Sequence, residues 1–348
     1  MNFKSNDLEK FKRSNGLLID VRSPDEYYKG HMPNSINIPI FNNEEREIVG
    51  KEYKFKGRKK AIYQGLNIVN KKIDFLIQNI NQEFIKFQNR TLNPTKGRNI
   101  NLYCARGGMR SQSIAWVLKK LNYDPILLTG GYKTYRGYVL NNFSEKRRLI
   151  VIGGKTGTGK TKILSLMKNM DYQVIDLEYY ANHKGSSFGN LGMTKQPTNE
   201  QFENLISEEL CKFEISKEVF VEAESANIGS CRIPHEFYKQ MIDAKRVEIS
   251  TSESKRIKEL VNTYSVFPKQ ELKEAVQRIE RRLGPNRTKI ALESIDNEEW
   301  EEVCKAVIDY YDRCYEYERQ KRTNICNINI ENKNTNEIIK SIVNNSSK

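Results

Sequence analysis

A cysteine followed by a turn rich in glycine and arginine is the first feature of the sequence that could carry chemistry. Cys104 ends the apolar segment 99–104, and a helical pattern begins at Ser111. The thiolate is the nucleophilic form of cysteine, and the N-terminus of a helix stabilises it. Two glycines let successive N–H groups point inward and hold an anion. A buried structural cysteine is the alternative, but the pattern favours a thiol that attacks or carries sulfur or selenium. The predicted catalytic residues are Cys104, Arg106, Gly107, Gly108 and Arg110.

A second loop matches the phosphate-binding pattern G-x-x-x-x-G-K-[ST] in full. It follows an apolar segment and precedes a helical pattern, which is the context that the motif requires. Its N–H groups would hold phosphates, Lys160 would reach the terminal oxygens, and Thr161 could hold Mg²⁺. The pattern leaves open whether a nucleotide or a diphosphate ester binds. The predicted phosphate-binding residues are Gly154, Lys155, Thr156, Gly157, Thr158, Gly159, Lys160 and Thr161.

Acidic side chains after two further apolar segments are candidates for roles beside this loop. Nucleoside triphosphatases normally hold their metal ion with an acidic residue at the end of a strand. Glu222 and Glu224 follow one apolar segment, and Asp176 follows another. The segment 182–187 is polar and contains a glycine, so we expect a mobile loop there with His183 as a candidate base.

Both loops need a scaffold that brings their residues to one edge of a sheet. Short apolar segments alternate with helical patterns, which predicts an α/β fold with parallel sheets. Residues 111–123 repeat Ile114, Val117, Leu118 and Leu121 at helical spacing. A second α/β unit and a helical region from about residue 252 follow. The predicted strands are 16–23, 99–104, 124–131, 148–154, 172–178 and 218–225.

The charge of the chain predicts a polyanionic partner. Its 58 lysines and arginines exceed its 44 acidic residues, so the net charge is +14 at pH 7. Clusters of basic residues favour nucleic acid over a solvated surface. A helix over 267–285 would place Arg278 and Arg282 on one face, beside Arg281. The residues predicted to bind nucleic acid are Lys56, Arg58, Lys59, Arg278, Arg281 and Arg282.

Three segments resemble the rhodanese family. They are residues 20–27 with 30–39, the loop at 104–110, and 130–132, in the order that this family has. The resemblance implies a rhodanese-like N-terminal domain that carries a reactive cysteine. We expect the polar residues of the first segment, Asp20, Arg22, Glu26 and His31, to form a structural network rather than to catalyse.

The joined domains resemble the tRNA 2-selenouridine synthase family. The similarity extends over about residues 5–320 and includes 176–189, 221–229, 279–284 and 310–315. It implies replacement of the sulfur of wobble 2-thiouridine by selenium from selenophosphate. It also implies S-geranylation of that sulfur by geranyl diphosphate, with S-geranyl-2-thiouridine as the intermediate. These two compounds are then substrates, Mg²⁺ is an optional ion, and no tightly bound cofactor is expected.

The resemblance sets the expected domains and partners. We expect a rhodanese-like domain over 1–143 with a basic helical insertion at about 42–98, a P-loop domain over 144–325 with C-terminal helices, and a mobile tail at 326–348. The partners would be tRNA and a supplier of selenophosphate, without a membrane, in the cytoplasm. Because the six cysteines contain no CxxC pair, no metal site is assigned.

Two other functions remain open. One is a sulfurtransferase fused to a small-molecule P-loop kinase, which would turn over ATP without tRNA. The other is a non-catalytic rhodanese fold joined to a nucleotide sensor, which the intact loop around Cys104 disfavours.

Overall fold

The computed structural model describes residues 4–90, 97–320, 322 and 324–346, and it divides after Asn141 into two compact units. The expected division, between residues 143 and 144, lies two residues further along. Each unit contains a five-stranded sheet in which every pair of neighbouring strands is parallel. The predicted α/β fold with two parallel sheets is therefore confirmed.

The first unit alternates strands and helices along the chain. Its elements are β1 (Lys4–Asn6), α1 (Leu8–Arg13), β2 (Leu17–Asp20), α2 (Pro24–Lys29), β3 (Ile36–Asn37), α3 (Asn43–Asn70), α4 (Ile73–Arg90), β4 (Asn99–Tyr103), α5 (Met109–Lys120), β5 (Asp124–Leu128) and α6 (Gly131–Asn142).

The strands of the first unit lie in the order β1-β5-β4-β2-β3. The central strands β2 and β4 are mostly buried, as expected of a sheet covered on both faces, and Ile19, Ile100 and Leu102 are fully buried. Helix α5 packs Ile114 and Leu118 against the same core. The carboxyl ends of parallel strands share one edge of the sheet, where α/β proteins usually bind ligands.

The segment expected to be a helical insertion contains α3 and α4 within residues 43–90, and residues 91–96 lie outside the described part of the chain. Helix α3 bends at Gly57, whose φ of 80° leaves the helical range. Helix α4 packs Leu76, Ile80 and Phe84 into the core of the unit. The insertion is therefore joined to the rhodanese-like core through α4, while residues 53–60 of α3 remain exposed.

The second unit contains a sheet and a group of helices. Its elements are β6 (Arg148–Gly153), α7 (Lys160–Asn169), β7 (Gln173–Ile175), α8 (Leu177–Ala181), α9 (Asn199–Leu210), β8 (Glu218–Glu222), β9 (Asn227–Ile228), β10 (Cys231–Arg232), α10 (His235–Asp243), β11 (Lys245–Ser250), α11 (Glu253–Tyr264), α12 (Lys269–Gln277), α13 (Glu280–Leu283), α14 (Pro285–Asp296), α15 (Trp300–Arg319), β12 (Ile325–Asn329) and α16 (Thr335–Ser346).

The sheet of the second unit has the order β12-β11-β6-β8-β7. Strand β6 lies at its centre and leads directly into the phosphate-binding loop. Strands β7 and β8 end beside it, with Ile175 opposite Val221 in register. This order brings the acidic residues that follow β7 and β8 to the same edge as the loop.

The helix expected over 267–285 is interrupted. Helix α12 ends at Gln277, Ile279 has φ −110° and ψ 5°, and α13 begins at Glu280. Arg278 and Arg282 therefore do not share the face of one continuous helix. Burial of both Val276 and Ile279 in the core beside α15 accompanies the break.

The mobile tail expected at 326–348 is wrong for the described part of that segment. Strand β12 pairs with β11 from Arg246–Ile325 to Ser250–Asn329. Helix α16 buries Ile338, Ile339 and Ile342 in the core with Phe220. The abundance of Asn, Ser and Lys concealed an apolar stripe at helical spacing.

Within the described residues, none of the helices combines the length and the apolar character needed to cross a membrane.

Candidate functional site

The cysteine loop of the first unit lies between β4 and α5, at the carboxyl edge of the sheet. Its geometry depends on Gly131, because a side chain at that position would approach the carbonyl oxygen of Cys104 to 2.2 Å and the nitrogen of Gly107 to 2.4 Å. The N–H of Tyr132 donates to the oxygen of Cys104 at 2.8 Å. Gly131 and Tyr132, which follow β5, thus hold the cysteine loop in place.

The sulfur of Cys104 is buried and held by polar contacts. The N–H of Gly108 donates to Sγ at 3.3 Å, and Oγ of Ser111 lies 3.2 Å from it. Gly108 is also the residue before the first turn of α5, where unpaired N–H groups favour a negative charge. Ser111 was not predicted as a site residue, although it begins the helical pattern after the loop.

The two arginines of the loop differ in their surroundings. Arg106 is exposed. Arg110 makes a bidentate pair with Glu26, with distances of 2.6 and 3.1 Å. Burial alone would raise the pKa of Glu26, but the hydrogen bonds and charge of Arg110 lower it to about 2. Glu26 balances the charge of Arg110, and the pair joins α2 to the loop. A catalytic role for Arg110 stays a prediction.

Asp20 and Arg22 form a buried pair, as expected of a structural network. Arg22 Nη2 lies 2.6 Å from Asp20 Oδ2 and also donates to the oxygen of Gly30 at 2.6 Å. Its guanidinium stacks 3.7 Å from the ring centre of Tyr132. His31 Nδ1 contacts the oxygen of Tyr27 at 2.9 Å.

The phosphate-binding loop of the second unit wraps between β6 and α7. Gly157 has φ 83°, and a side chain there would lie 2.7 Å from the oxygen of Arg256, so both its backbone and its close approach to α11 require glycine. Lys160 Nζ donates to the oxygen of Gly154 at 2.6 Å. Thr158 Oγ1 donates to the oxygen of Lys155 at 2.8 Å.

A cleft of about 620 Å³ opens over this loop. Glycines and threonines of the motif line the cleft, and Lys160 lies among them. Glu178, Lys184, Glu224 and Arg246 also line it. The cleft therefore combines N–H donors, cations and carboxylates, which suits a phosphate ester and its counter-ion.

Tyr315 of α15 connects the start of the loop to a buried ion pair. Its hydroxyl accepts from the N–H of Gly154 and from Arg246 Nη2, and donates to Glu248. Arg246 and Glu248 pair with each other on β11. Burial raises the pKa of Tyr315 strongly, so the hydroxyl remains neutral and able to donate. Because these partners are far apart along the chain, sequence reasoning did not predict them.

Arg256 holds the middle of the same loop. Its Nε donates to the oxygen of Thr156 at 2.8 Å, and its guanidinium makes a bidentate pair with Asp312 of α15. Lys155 Nζ lies 3.3 Å from the same carboxylate. The helices α11 and α15 thus fix the loop through charged side chains.

Three carboxylates meet at the carboxyl ends of β7 and β8. Oxygens of Glu178, Glu222 and Glu224 all lie within 4.8 Å of one another. Glu222 is buried and accepts from the N–H of Glu178 at 2.9 Å. Such an oxygen set can hold a divalent cation, and two of its members, Glu222 and Glu224, are the acidic residues that the sequence suggested for a role beside the loop. Glu178 was not predicted, although it lies only two residues after the candidate Asp176.

The carboxylates of this triad retain protons more strongly than free glutamates. Burial, and next the charge of a neighbouring carboxylate, raise the pKa of Glu178 and Glu224 to about 8, although the charge of Lys160 opposes the rise. Burial and the charges of Glu178 and Asp176 raise the pKa of Glu222 well above its ordinary value. Near pH 7 the triad therefore holds protons, unless a cation replaces them.

Two predicted site residues, Asp176 and His183, do not belong to the triad. Asp176 caps α8 by accepting from the N–H of Tyr179 at 2.8 Å. The described residues that line the cleft include Lys184, Gly185 and Ser186 but not His183. Burial and the charge of Arg278 lower the pKa of His183, so its ring is neutral at pH 7.

The predicted tRNA-binding residues fall into two sets. Lys56, Arg58 and Lys59 are exposed around the bend of α3, and Lys56 pairs with Glu52 at 2.8 Å. Exposed Tyr53, Phe55 and Tyr63 lie between and beside the basic residues.

The second set is partly engaged within its own unit. Arg278 donates to the oxygen of Ser187 at 2.8 Å and to Asn190 Oδ1 at 3.0 Å. Arg282 lies 3.5 Å from the hydroxyl of Tyr310, and Arg281 is exposed. Arg278 therefore holds the segment beside the cleft, which its position in the sequence did not indicate.

The fold and the two loops define a class of protein in which a rhodanese-like domain is followed by a P-loop domain. Residues 5–137 match the model of the rhodanese-like domain, and residues 147–346 match that of the tRNA 2-selenouridine synthase AAA domain. The chain belongs to the tRNA 2-selenouridine synthase family.

Relatives named tRNA 2-selenouridine synthase support this assignment along most of the chain. The protein of Sulfurovum sp. is 31% identical over 91% of this chain and 93% of its own length. That of Hydrogenovibrio crunogenus is 30% identical over 92% and 93%. That of Nitrosomonas eutropha is 36% identical, and the match covers 76% of this chain and 67% of the relative's own length.

Proposed function

We propose that the chain is a tRNA 2-selenouridine synthase, which converts wobble 2-thiouridine in tRNA to 2-selenouridine through S-geranyl-2-thiouridine. The observation that carries the proposal is the presence in one chain of a cysteine loop, in which the N–H of Gly108 donates to the sulfur, and a complete phosphate-binding loop. Family membership supports the same activity.

The second unit would perform the geranyl transfer. The sulfur of 2-thiouridine attacks C1 of geranyl diphosphate, the C1–O bond breaks, pyrophosphate leaves and the base loses its N3 proton. Lys160 and the N–H groups of the loop would hold the departing negative charge. If Mg²⁺ takes part, Thr161 and the triad of Glu178, Glu222 and Glu224 are the residues that would hold it, and the ion would neutralise diphosphate charge.

The first unit would perform the selenation. Selenium attacks C2 of the base, the bond from C2 to sulfur breaks, and geranyl thiol leaves. In direct attack by selenophosphate, water then takes the phosphoryl group and phosphate is released. The loop at Cys104 would hold the donor's anionic group beside Cys104, near the N–H of Gly108. A supplier of selenophosphate is the partner that this step requires.

Transfer RNA would bind through the basic surface of α3. Lys56, Arg58 and Lys59 would contact phosphates. The exposed rings of Tyr53 and Phe55 are suited to stack on unpaired bases.

The role of the phosphate loop is tested by geranylation of 2-thiouridine tRNA, followed by mass spectrometry of its nucleosides. We expect Lys160→Ala to lower the rate at least 100-fold, because the charge on the departing pyrophosphate loses its partner. The matched control is Lys168→Ala on the same helix, which removes only a half-exposed pair with Glu209. A Lys160→Ala protein that geranylates normally, or a wild type that only hydrolyses ATP, would overturn the proposal.

A further inference from the structure

A second cavity of the P-loop unit adjoins the phosphate cleft. It is narrow, about 40 Å³, and lies among α11, α12, α15 and the segment at Phe188. Five residues line both the cleft and this cavity, and one of them belongs to the phosphate-binding motif. The shared residues are Thr156, Ser186, Leu260, Tyr264 and Tyr311.

The wall of this cavity is almost entirely apolar. Leu272, Val303 and Val307 are buried in it, and the residues described as lining it include no Lys, Arg, His, Asp or Glu. The hydroxyl of Tyr311 forms a hydrogen bond with the hydroxyl of Ser187. Burial raises the pKa of Tyr264 to about 12, so that ring also stays neutral.

An apolar wall favours one kind of phosphate ligand over another. The base and ribose of a nucleotide carry donors and acceptors that lose free energy when they are buried without partners. A hydrocarbon chain carries none and gains from leaving water. An apolar cavity beginning at Thr156 of the phosphate-binding motif therefore fits an ester whose other end is a hydrocarbon.

We propose that this cavity binds the end of the isoprenoid chain of a prenyl diphosphate whose diphosphate lies at the P-loop, because its volume of about 40 Å³ is smaller than a whole ten-carbon chain. The inference rests on the proposed geranyl transfer and adds where the chain of the substrate is recognised. Val303 and Val307, one turn apart on α15, form part of the wall. Because the cavity is narrow, its wall limits the length of chain that is accepted.

The first test compares two ligands that share the diphosphate group. Inorganic pyrophosphate and a non-hydrolysable thiolo analogue of geranyl diphosphate are titrated into the full-length protein by calorimetry. We expect Val307→Phe to weaken binding of the analogue about tenfold, since roughly two carbons of chain lose their place. Pyrophosphate binding should stay within twofold. The matched control, Val266→Phe, places the same change on an exposed side chain.

The second test removes volume instead of adding it, which covers the case in which Val307→Phe fails to fold. Val307→Ala should raise the ratio of farnesyl to geranyl transfer about tenfold, because the longer chain gains room. The readout is the mass of the prenylated nucleoside when both diphosphates compete.

The outcomes separate this inference from the function on which it rests. A wild type that neither binds the geranyl analogue nor geranylates tRNA overturns the proposed function. A wild type that geranylates, combined with Val307 variants whose chain-length preference and analogue affinity match wild type, overturns only the assignment of this cavity. Equal weakening of pyrophosphate and analogue by Val307→Phe also counts against it.

Discussion

At the scale of single residues, the two loops hold anions by different means. Around Cys104 the donors are backbone N–H groups, and Arg110 is balanced by Glu26. At the P-loop, Lys160 and the carboxylates of Glu178 and Glu224 line the same cleft, while Arg246 is paired with Glu248. The carboxylates beside the second loop can therefore release protons or bind a cation when a charged substrate binds. The first loop depends on the fixed dipoles of its N–H groups.

The protonated triad predicts a pH-dependent stability. The pKa of Glu178 and Glu224 rises from 4.5 to about 8 on folding, so the folded protein binds more protons than the unfolded chain between these values. Stability that is present below pH 4.5 is therefore lost as the pH rises towards 8. Removing one carboxylate should reduce that loss.

We expect Glu224→Gln to raise the melting temperature relative to wild type more at pH 8.5 than at pH 5.5, without added divalent cations. Glu274→Gln, on the exposed surface of α12, should show no such difference. A gain of the same size at both pH values would mean that the triad is ionised throughout this range.

Tyr315 supports the phosphate loop through its hydroxyl alone. Tyr315→Phe leaves the N–H of Gly154 and part of the buried pair of Arg246 and Glu248 without a partner. We expect the free energy of unfolding in urea to fall by about 1–3 kcal/mol, and pyrophosphate binding to weaken. Tyr317→Phe, two residues along on an exposed position, is the control and should change neither quantity measurably.

At the scale of elements, the strands and helices next to the motifs could be predicted, since an apolar segment and a glycine loop identify them locally. Strands β2, β4, β5, β6, β7 and β8 were predicted within a few residues of their bounds. The break between α12 and α13 was not, because a helical pattern does not show which residues the neighbouring α15 requires to be buried.

Helix α16 is the element whose structural role was missed, and its contribution to stability can be measured. Ile339 lies fully buried in the core of the second unit, so Ile339→Ala should cost about 2–5 kcal/mol in the free energy of unfolding. The neighbouring Lys340→Ala, on the exposed face, should change it by less than about 0.5 kcal/mol. Equal, small effects of both substitutions would show that the segment is frayed after all.

Helix α3 should contribute to RNA affinity through charge. If Lys56, Arg58 and Lys59 contact phosphates, changing all three to Ala should reduce the slope of log affinity against log salt by about two to three. The measurement is the affinity for tRNA at a series of salt concentrations, from about 50 to about 300 mM KCl. A control that removes three exposed lysines of the second unit, Lys212, Lys217 and Lys305, should leave the slope nearly unchanged.

At the scale of the whole molecule, each unit carries its own sheet, core and anion-binding loop. The candidate site could be predicted where a local motif defines it, as at Cys104 and Lys160. The parts that were missed, including Glu178, Tyr315 and the apolar cavity, arise from residues brought together by folding. Single-sequence patterns do not record such distant contacts.

The account assigns two successive steps on one base to two units of one chain. The most direct measurement follows the nucleosides of a 2-thiouridine tRNA by mass spectrometry, with geranyl diphosphate and selenophosphate both present. Wild type should produce 2-selenouridine, Cys104→Ser should accumulate S-geranyl-2-thiouridine, and Lys160→Ala should leave 2-thiouridine unchanged. Equal loss of geranylation and selenation in Cys104→Ser would contradict this division of work between the two units.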